Sequence, residues 1–519
     1  MTFVPLFVTF VIVIGNFEIE DAMKAAAVGL LLLGLLAVPA RADEGLGRIS
    51  FPTSGSAAAQ PAFIRGVLLL HSFEFDDAAD AFREARRIDP DFAMAYWGEA
   101  LTFTHPLWRE QNREAALKVL GELGPTPEAR RAKAPTAREQ AYLATLDVLY
   151  GEGERAQAYR AYADALGTLA DRYPDDDEAK AFHALAILAT NVERRDFSVD
   201  MRAAAIVEDV FLRNQEHPAA LHYMIHAYDN PMHAPLGLRA ARRYGRLAQH
   251  APHALHMTSH IFLAMGMWDD TVAANEAAWA ASAARVARKQ LGPNEHGYHA
   301  YLWLSYAYLQ QGRIDDARRV VNHMAQLLVQ AKSKRVGYHY EMARGALIVD
   351  GERWNDTPAA ADSATLNLAP RAAGLFADGL AAVRRRDLAA AEAALAVLES
   401  LKPAPAAGES HHGPPQLSAA DREGTAITTM QLSGVIALAK GDAERGMSLL
   451  QQSAKAEDVM PYEFGPPFPV KPARELLGEA LLAAGRHAEA ADAFRAALTR
   501  TPGRRLSLRG LEQAQAKRN

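Results

Sequence analysis

The sequence predicts an all-α chain built as a solenoid of stacked helix hairpins, and three observations carry that prediction. PAALHYMIHAY, Pro218–Tyr228, and PHALHMTSHIF, Pro252–Phe262, repeat each other at an offset of 252 − 218 = 34 residues, the period of a helix-hairpin array. Small residues and a closing proline recur at spacings that let two antiparallel helices touch. Alternating β-branched runs bounded by Asn-Gly or Asp-Gly turns do not occur beyond residue 42, so strand signals are nearly absent.

Residues 1–42 read as an upstream segment plus a signal peptide. Met23-Lys24 is followed by an apolar run from Ala25 to Val38 and by Ala40-Arg41-Ala42, the layout of a secretory signal cut after Ala42. The upstream apolar stretch, Phe3 to Ile14, is shorter than the ~20 residues that span a bilayer; a start at Met23 accounts for it, and an uncleaved anchor is the other reading. Export predicts a periplasmic or secreted protein with no membrane association after cleavage. The chain has no cysteine, which excludes disulfides, thiolate metal sites and Cys nucleophiles. A net charge of −6 on 519 residues, without basic blocks, gives no sign of nucleic-acid binding.

Beyond a linker at 43–58, the hairpins run from 59 to 400 and from 425 to 510, with a tail at 511–519. The last copy is the clearest: Leu477, Gly478, Leu481, Gly485, Ala490, Phe494, Ala497 and Pro502 stand at the spacings of the tetratricopeptide repeat (TPR), and the segment resembles that family. The same frame fits Gly66, Ala78, Phe82, Ala85 and Pro90, and again around Gly266, Gly312, Gly379 and Gly434, for about nine or ten helix pairs, well above the ~3 that a solenoid needs. The resemblance implies a right-handed α-solenoid of TPR-like hairpins whose first helices line a concave groove. Two interruptions break the array. Residues 401–424, rich in Pro, Ala and Gly and carrying His411-His412, read as a flexible loop; residues 458–472 mix prolines with Tyr462, Phe464 and Phe468 and read as a stiff loop that packs into the groove.

The 34-residue repeat carries a His-x3-His pair in both copies, His222 with His226 and His256 with His260. On a helix, each pair projects from one face. Asp229 extends the first set to i, i+4, i+7, and His253 extends the second to i, i+3, i+7. Eight of the 18 histidines of the chain fall between His217 and His260, which chance clustering explains poorly. In the frame of the resemblance, His222, His226, Asp229, His253, His256 and His260 all face the groove, with His71, Glu99 and His299 as further groove residues. His217, His233 and His250 fall near helix ends or in turns and read as caps or outer partners.

Nitrogen and carboxylate ligands without sulfur suit a divalent transition metal, with zinc, iron and copper among the ions not distinguished. The leading expectation is therefore an exported solenoid that binds a metal through its groove histidines. A second is a scaffold that takes a peptide or protein partner in the groove without metal. A third is a metal-dependent hydrolase or oxidase closed by the 458–472 loop, drawing on residues such as Glu99, Tyr306 and Tyr228. No HExxH, GxSxG, Walker or dinucleotide motif is present beyond residue 42, so no catalytic residue is assigned. For the exported protein, N-terminal sequencing is expected to read from Asp43; a start at Met1 or Met23 rules the cleavage out.

Overall fold

The computed structural model describes residues 45–517 except 109, 192–194, 363–365, 404–418 and 463. Among the described residues, twenty-three α-helices follow one another as TPR-like hairpins stacked into an α-solenoid. The signal segment lies outside the described residues, and within them no helix is long and apolar enough to cross a membrane.

Two layers arise from two kinds of helix. The inner helix Pro218–Tyr228 is buried along all eleven of its residues, as befits a helix with neighbours on every side. Its outer mate, Ala234–Leu247, buries Ala234, Gly237, Ala240, Ala241 and Tyr244, a stripe at helical spacing, and leaves its basic face outside. The hairpin joint is made the same way at both ends of the array. Phe82 is fully buried against Gly66 and Gly98, and Phe494 against Gly478 and Gly510. A Cβ on Gly66 would stand 2.7 Å from the Phe82 ring, so glycine is what lets the aromatic close the gap between helices.

The array departs from regular repeats in three places. A two-residue antiparallel pair, Thr104–His105 with Glu110–Gln111, interrupts the second repeat; strands this short leave no alternation to read in a sequence. The Lys334–Gly351 helix enters the inner layer without an outer mate of its own. Residues 419–424, expected in the loop, form the start of the helix Ala419–Ala439, where Gly424 packs under Phe468; His411 and His412 lie outside the described residues.

The solenoid closes on itself through Arg504. This fully buried side chain donates from Nε to Glu475 (2.8 Å), and from Nη1 to Asp350 (2.9 Å) and the Tyr306 hydroxyl (3.2 Å). Lys471 meets Glu475 at 2.9 Å and the partly exposed Glu479 at 2.5 Å, so each buried carboxylate of the cluster faces a cation. Burial lifts Asp350, while Glu475, despite its burial, is drawn down to about 2 by Arg504 and Lys471. Removing one partner of a buried ion pair leaves the others uncompensated, so Arg504→Ala is expected to lower stability by about 3–5 kcal/mol. Urea unfolding measures the loss, and a midpoint equal to wild type rules out this anchor.

Candidate metal centre

Three consecutive inner helices carry the histidines: Pro218–Tyr228, Pro252–Ala264 and Tyr298–Gln310. Proline fixes the start of the first two, where its missing N–H costs nothing. Counting from each first residue, the second, fifth and ninth positions turn toward the groove. The first helix offers His222 and His226 at positions five and nine; the second offers His253, His256 and His260 at all three; the third offers His299 at position two.

These six side chains gather into two groups of three. His222 and His226 join His253, and His256 and His260 join His299; within each group the ligand nitrogens lie within 4.8 Å of one another. Each group takes a His-x3-His pair from one helix and a single histidine from the first turn of the next. The groups are neighbours, with 6.0 Å between the ring centres of His226 and His260 and 6.2 Å between those of His253 and His256.

Outer partners decide which nitrogen of each ring is bare. His222 Nδ1 stands 2.6 Å from the carbonyl oxygen of His71, which can only accept, so Nδ1 carries the proton. His260 Nδ1 stands 2.5 Å from the Asp229 carboxylate. His256 Nδ1 stands 2.7 Å from Asn275 Oδ1, and the Asn275 amide nitrogen donates to Thr271 O at 2.9 Å, which fixes the amide's direction. The consequence falls on the opposite nitrogens. His256 and His260 face each other through Nε2 atoms 3.2 Å apart, each turned away from the outer partner that holds its Nδ1. Two nitrogens on one tetrahedral ion, at bonds of about 2.0–2.1 Å, stand about 3.3 Å apart.

The first pair is built alike, with His222 Nε2 and His226 Nε2 3.1 Å apart. A proton on His226 Nε2 would satisfy that contact but leave Nδ1, which is buried and has no hydrogen-bond partner, as an idle acceptor. His253 Nε2 is likewise buried and unpartnered. Buried polar atoms without partners are uncommon and call for an explanation.

Burial holds His222 down to about 3 and His226, His253, His256 and His299 well below the ordinary histidine range, with the neighbouring rings adding to the effect. The rings are therefore neutral at neutral pH, the form that binds metal.

The walls are aromatic. Phe73 lies over the first group, 4.4 Å from His222 between ring centres, and Trp303 over the second, 4.3 Å from His260. Phe464 of the 458–472 loop reaches both, 6.2 Å from His226 and 6.0 Å from His260, and the Arg195 guanidinium lies 4.4 Å from its ring centre. Beside His253, His256 and His299 a cavity of about 430 Å³ opens toward Phe75 and Trp108.

The remaining residues singled out in the sequence fall elsewhere. Asp229 belongs to neither nitrogen group, because the helix ends at Tyr228 and the carboxylate turns to His260 on the adjoining helix. The His71 side chain bonds Glu178 at 2.6 Å and Tyr223 at 2.9 Å; its contribution to the histidine face is the carbonyl that holds His222. Glu99 is taken up by Arg83 and Arg86, the Tyr228 hydroxyl by Glu208, and Tyr306 by Arg504. His217 lies 3.2 Å from Glu178, and His233 bonds Asn230 at 3.0 Å. His250 packs on Gly45. Sequence reasoning missed Asn275, Phe73 and Trp303. An asparagine in a small-residue helix 275 − 256 = 19 residues past His256 was the one available clue to the first of these.

No family model and no curated protein matches the chain. Solved structures with a similar chain course include the Cut9–Hcn1 heterotetramer of the APC/C (TM-score 0.36, 12% identity, covering 95% of this chain and 81% of that one). Yeast Tom70 aligns at TM-score 0.30 and 10% identity over 89% of this chain and 88% of its own. The human IFIT1 dimer with PPP-AAAA aligns at TM-score 0.38 and 13% identity over 86% and 94%.

The loop over the histidines hangs on Gly465, whose φ of +87° suits glycine and whose added Cβ would run into the Trp303 ring. Gly465→Ala is expected to lift residues 458–472 from the histidine face while the solenoid stays folded. Hydrogen exchange would read faster exchange confined to that loop; an unchanged pattern counts against this packing.

Proposed function

We propose that the protein binds divalent transition-metal ions in its inner groove, one at His222, His226 and His253 and one at His256, His260 and His299. The observation that carries the reading is the facing pair of His256 and His260. Their Nδ1 atoms are committed to Asn275 and Asp229, so the two Nε2 atoms are turned toward each other at 3.2 Å, close to the separation of two nitrogens on one tetrahedral ion. The outer bonds to a carboxylate, a side-chain amide and a backbone carbonyl are the kind that orient metal-binding histidines and raise their basicity. Three histidines per ion leave a position for water or a ligand; zinc, iron(II) and copper(II) all accept such a donor set. The reading includes export after Ala42, where metal would be acquired outside the cytoplasm.

A stack of TPR-like hairpins is also a scaffold for protein interaction. On this chain Phe73, Phe464 and Trp303 cover much of the histidine strip, so a peptide partner would use other surface of the solenoid.

Elemental analysis of protein purified without added metal tests the reading. Wild type is expected to hold up to two ions, His226→Ala or His260→Ala to lose one, and the double substitution to hold none, since each missing ligand lowers affinity steeply. Replacing His411 and His412 should change nothing. Asp229→Asn should weaken the second site by about 10–100-fold. A metal-free wild type, or a double variant with full metal content, sinks the proposal.

A further inference from the structure

The cavity beside the second histidine group carries one basic side chain, Arg335, with no carboxylate at ion-pair distance among the described residues. Arg335 is the second residue of the Lys334–Gly351 helix, the slot that His253 and His299 hold on the two preceding inner helices. It therefore looks onto the same strip of groove, and it lines the cavity with His253, His256 and His299. Its Nη1 donates to the Asn294 carbonyl at 2.5 Å, and its guanidinium lies 5.6 Å from the centre of the Tyr298 ring.

No carboxylate stands at ion-pair distance from Arg335 among the described residues. Arg504 by contrast pairs with Asp350 and Glu475, Arg344 with Asp378 at 2.6 Å, and Arg285, on the same cavity wall, with Asp77 at 2.8 Å. Proton affinity registers the contrast. Burial lowers that of Arg335, whereas in the other three the same burial is outweighed by carboxylates and the value rises. The acidic groups of the cavity wall do not fill the gap. Glu74 accepts from the His253 amide at 2.9 Å, Asp76 pairs with Arg285 at 3.4 Å, Glu110 pairs with His105 at 3.1 Å, and Glu295 and Glu110 act on Arg335 through space.

A half-buried guanidinium that faces a cavity without a carboxylate at ion-pair distance is a ready anchor for an anionic ligand. The volume, about 430 Å³, is that of a small-molecule site. From Arg335 the wall runs through His339, whose Nδ1 lies 2.8 Å from the Arg335 carbonyl, to His299, 6.0 Å from His339 between ring centres.

We infer that this cavity binds a small molecule bearing an oxyanion group, a carboxylate or a phosphate, with Arg335 holding the anion and the rest of the molecule directed at the His256, His260 and His299 group. The second contact rests on the metal reading; the first does not.

Calorimetric titration of the metal-loaded protein with succinate and, separately, with inorganic phosphate tests the inference and tells the two anion types apart. At least one probe is expected to bind wild type, and Arg335→Gln to weaken it roughly 10- to 100-fold with metal content unchanged, the scale of a lost hydrogen bond to a charged group. Arg335→Lys keeps the charge without the planar fork and should fall between the two. Failure of both probes on wild type, or equal affinity in Arg335→Gln, overturns the subsite. Arg335-dependent binding to a wild type that never holds metal would keep the subsite and discard the metal reading, so the two fail separately. Loss of anion binding in His260→Ala as well would place the anion's far end at the second group.

Discussion

The buried charge cluster around Arg504 is the constraint on which the histidine face depends. A solenoid left open presents its inner helices to water, and histidines facing water keep ordinary proton affinities. Arg504 ties the last hairpin to Tyr306 and Asp350 on two consecutive inner helices. With it come Lys471, at the start of that hairpin, and the loop that lays Phe464 over both histidine groups. Phe464 completes the cover of His226 and His260, while Phe73, Tyr223 and Tyr244 enclose His222. Such a cluster contributes little net stability compared with an apolar packing of the same volume; its value here is that it fixes where the C-terminal hairpin docks.

Within that enclosure the chemistry is set from behind. The same ring can present a donor or an acceptor to the groove, and the choice lies with whatever meets its other nitrogen. His71 O, Asn275 and Asp229 are acceptors on three different elements, and each commits a proton to the rear of a ring. Three of the six histidines thus turn Nε2 to the front for a reason that lies behind them, and the 3.1–3.2 Å contacts within the His-x3-His pairs follow from ordinary helix spacing once the rings are so turned. The scaffold supplies proximity and the outer partners supply the lone pairs.

How much of this was legible in the sequence follows the range of the interactions involved. The hairpin period, the glycines under Phe82 and Phe494, and the paired histidines are local patterns, and they appear in the structure where the pattern puts them. The partition into two groups depends on how far each inner helix is shifted along its neighbour, which the 34-residue period does not encode; His253 therefore sides with the preceding helix and His256 with the following one. Asp229 looked like a third ligand because an unbroken helix would carry it onto the stripe, but the helix stops one residue earlier. Glu99 occupied a groove position in the frame, and two arginines of the preceding helix claim it. Asn275 sits on an outer helix, and its role is visible only when His256 is beside it.

One slot of the repeat carries a further lesson. The second residue of successive inner helices is His253, then His299, then Arg335, and the stacking of the solenoid sets these three along a single strip. Substituting one position of the repeat changes what the strip offers at that step without disturbing the joints between helices, because in this stretch those joints are made by other residues, such as Gly237 against Ile261 and Gly345 against Ala373. Two steps of the strip present imidazoles and the third a guanidinium with no carboxylate at ion-pair distance among the described residues. On the two proposals taken together, cation-binding and anion-binding positions would adjoin over one helix spacing, an arrangement that suits a ligand with both an anionic end and an end able to enter the open position of a metal.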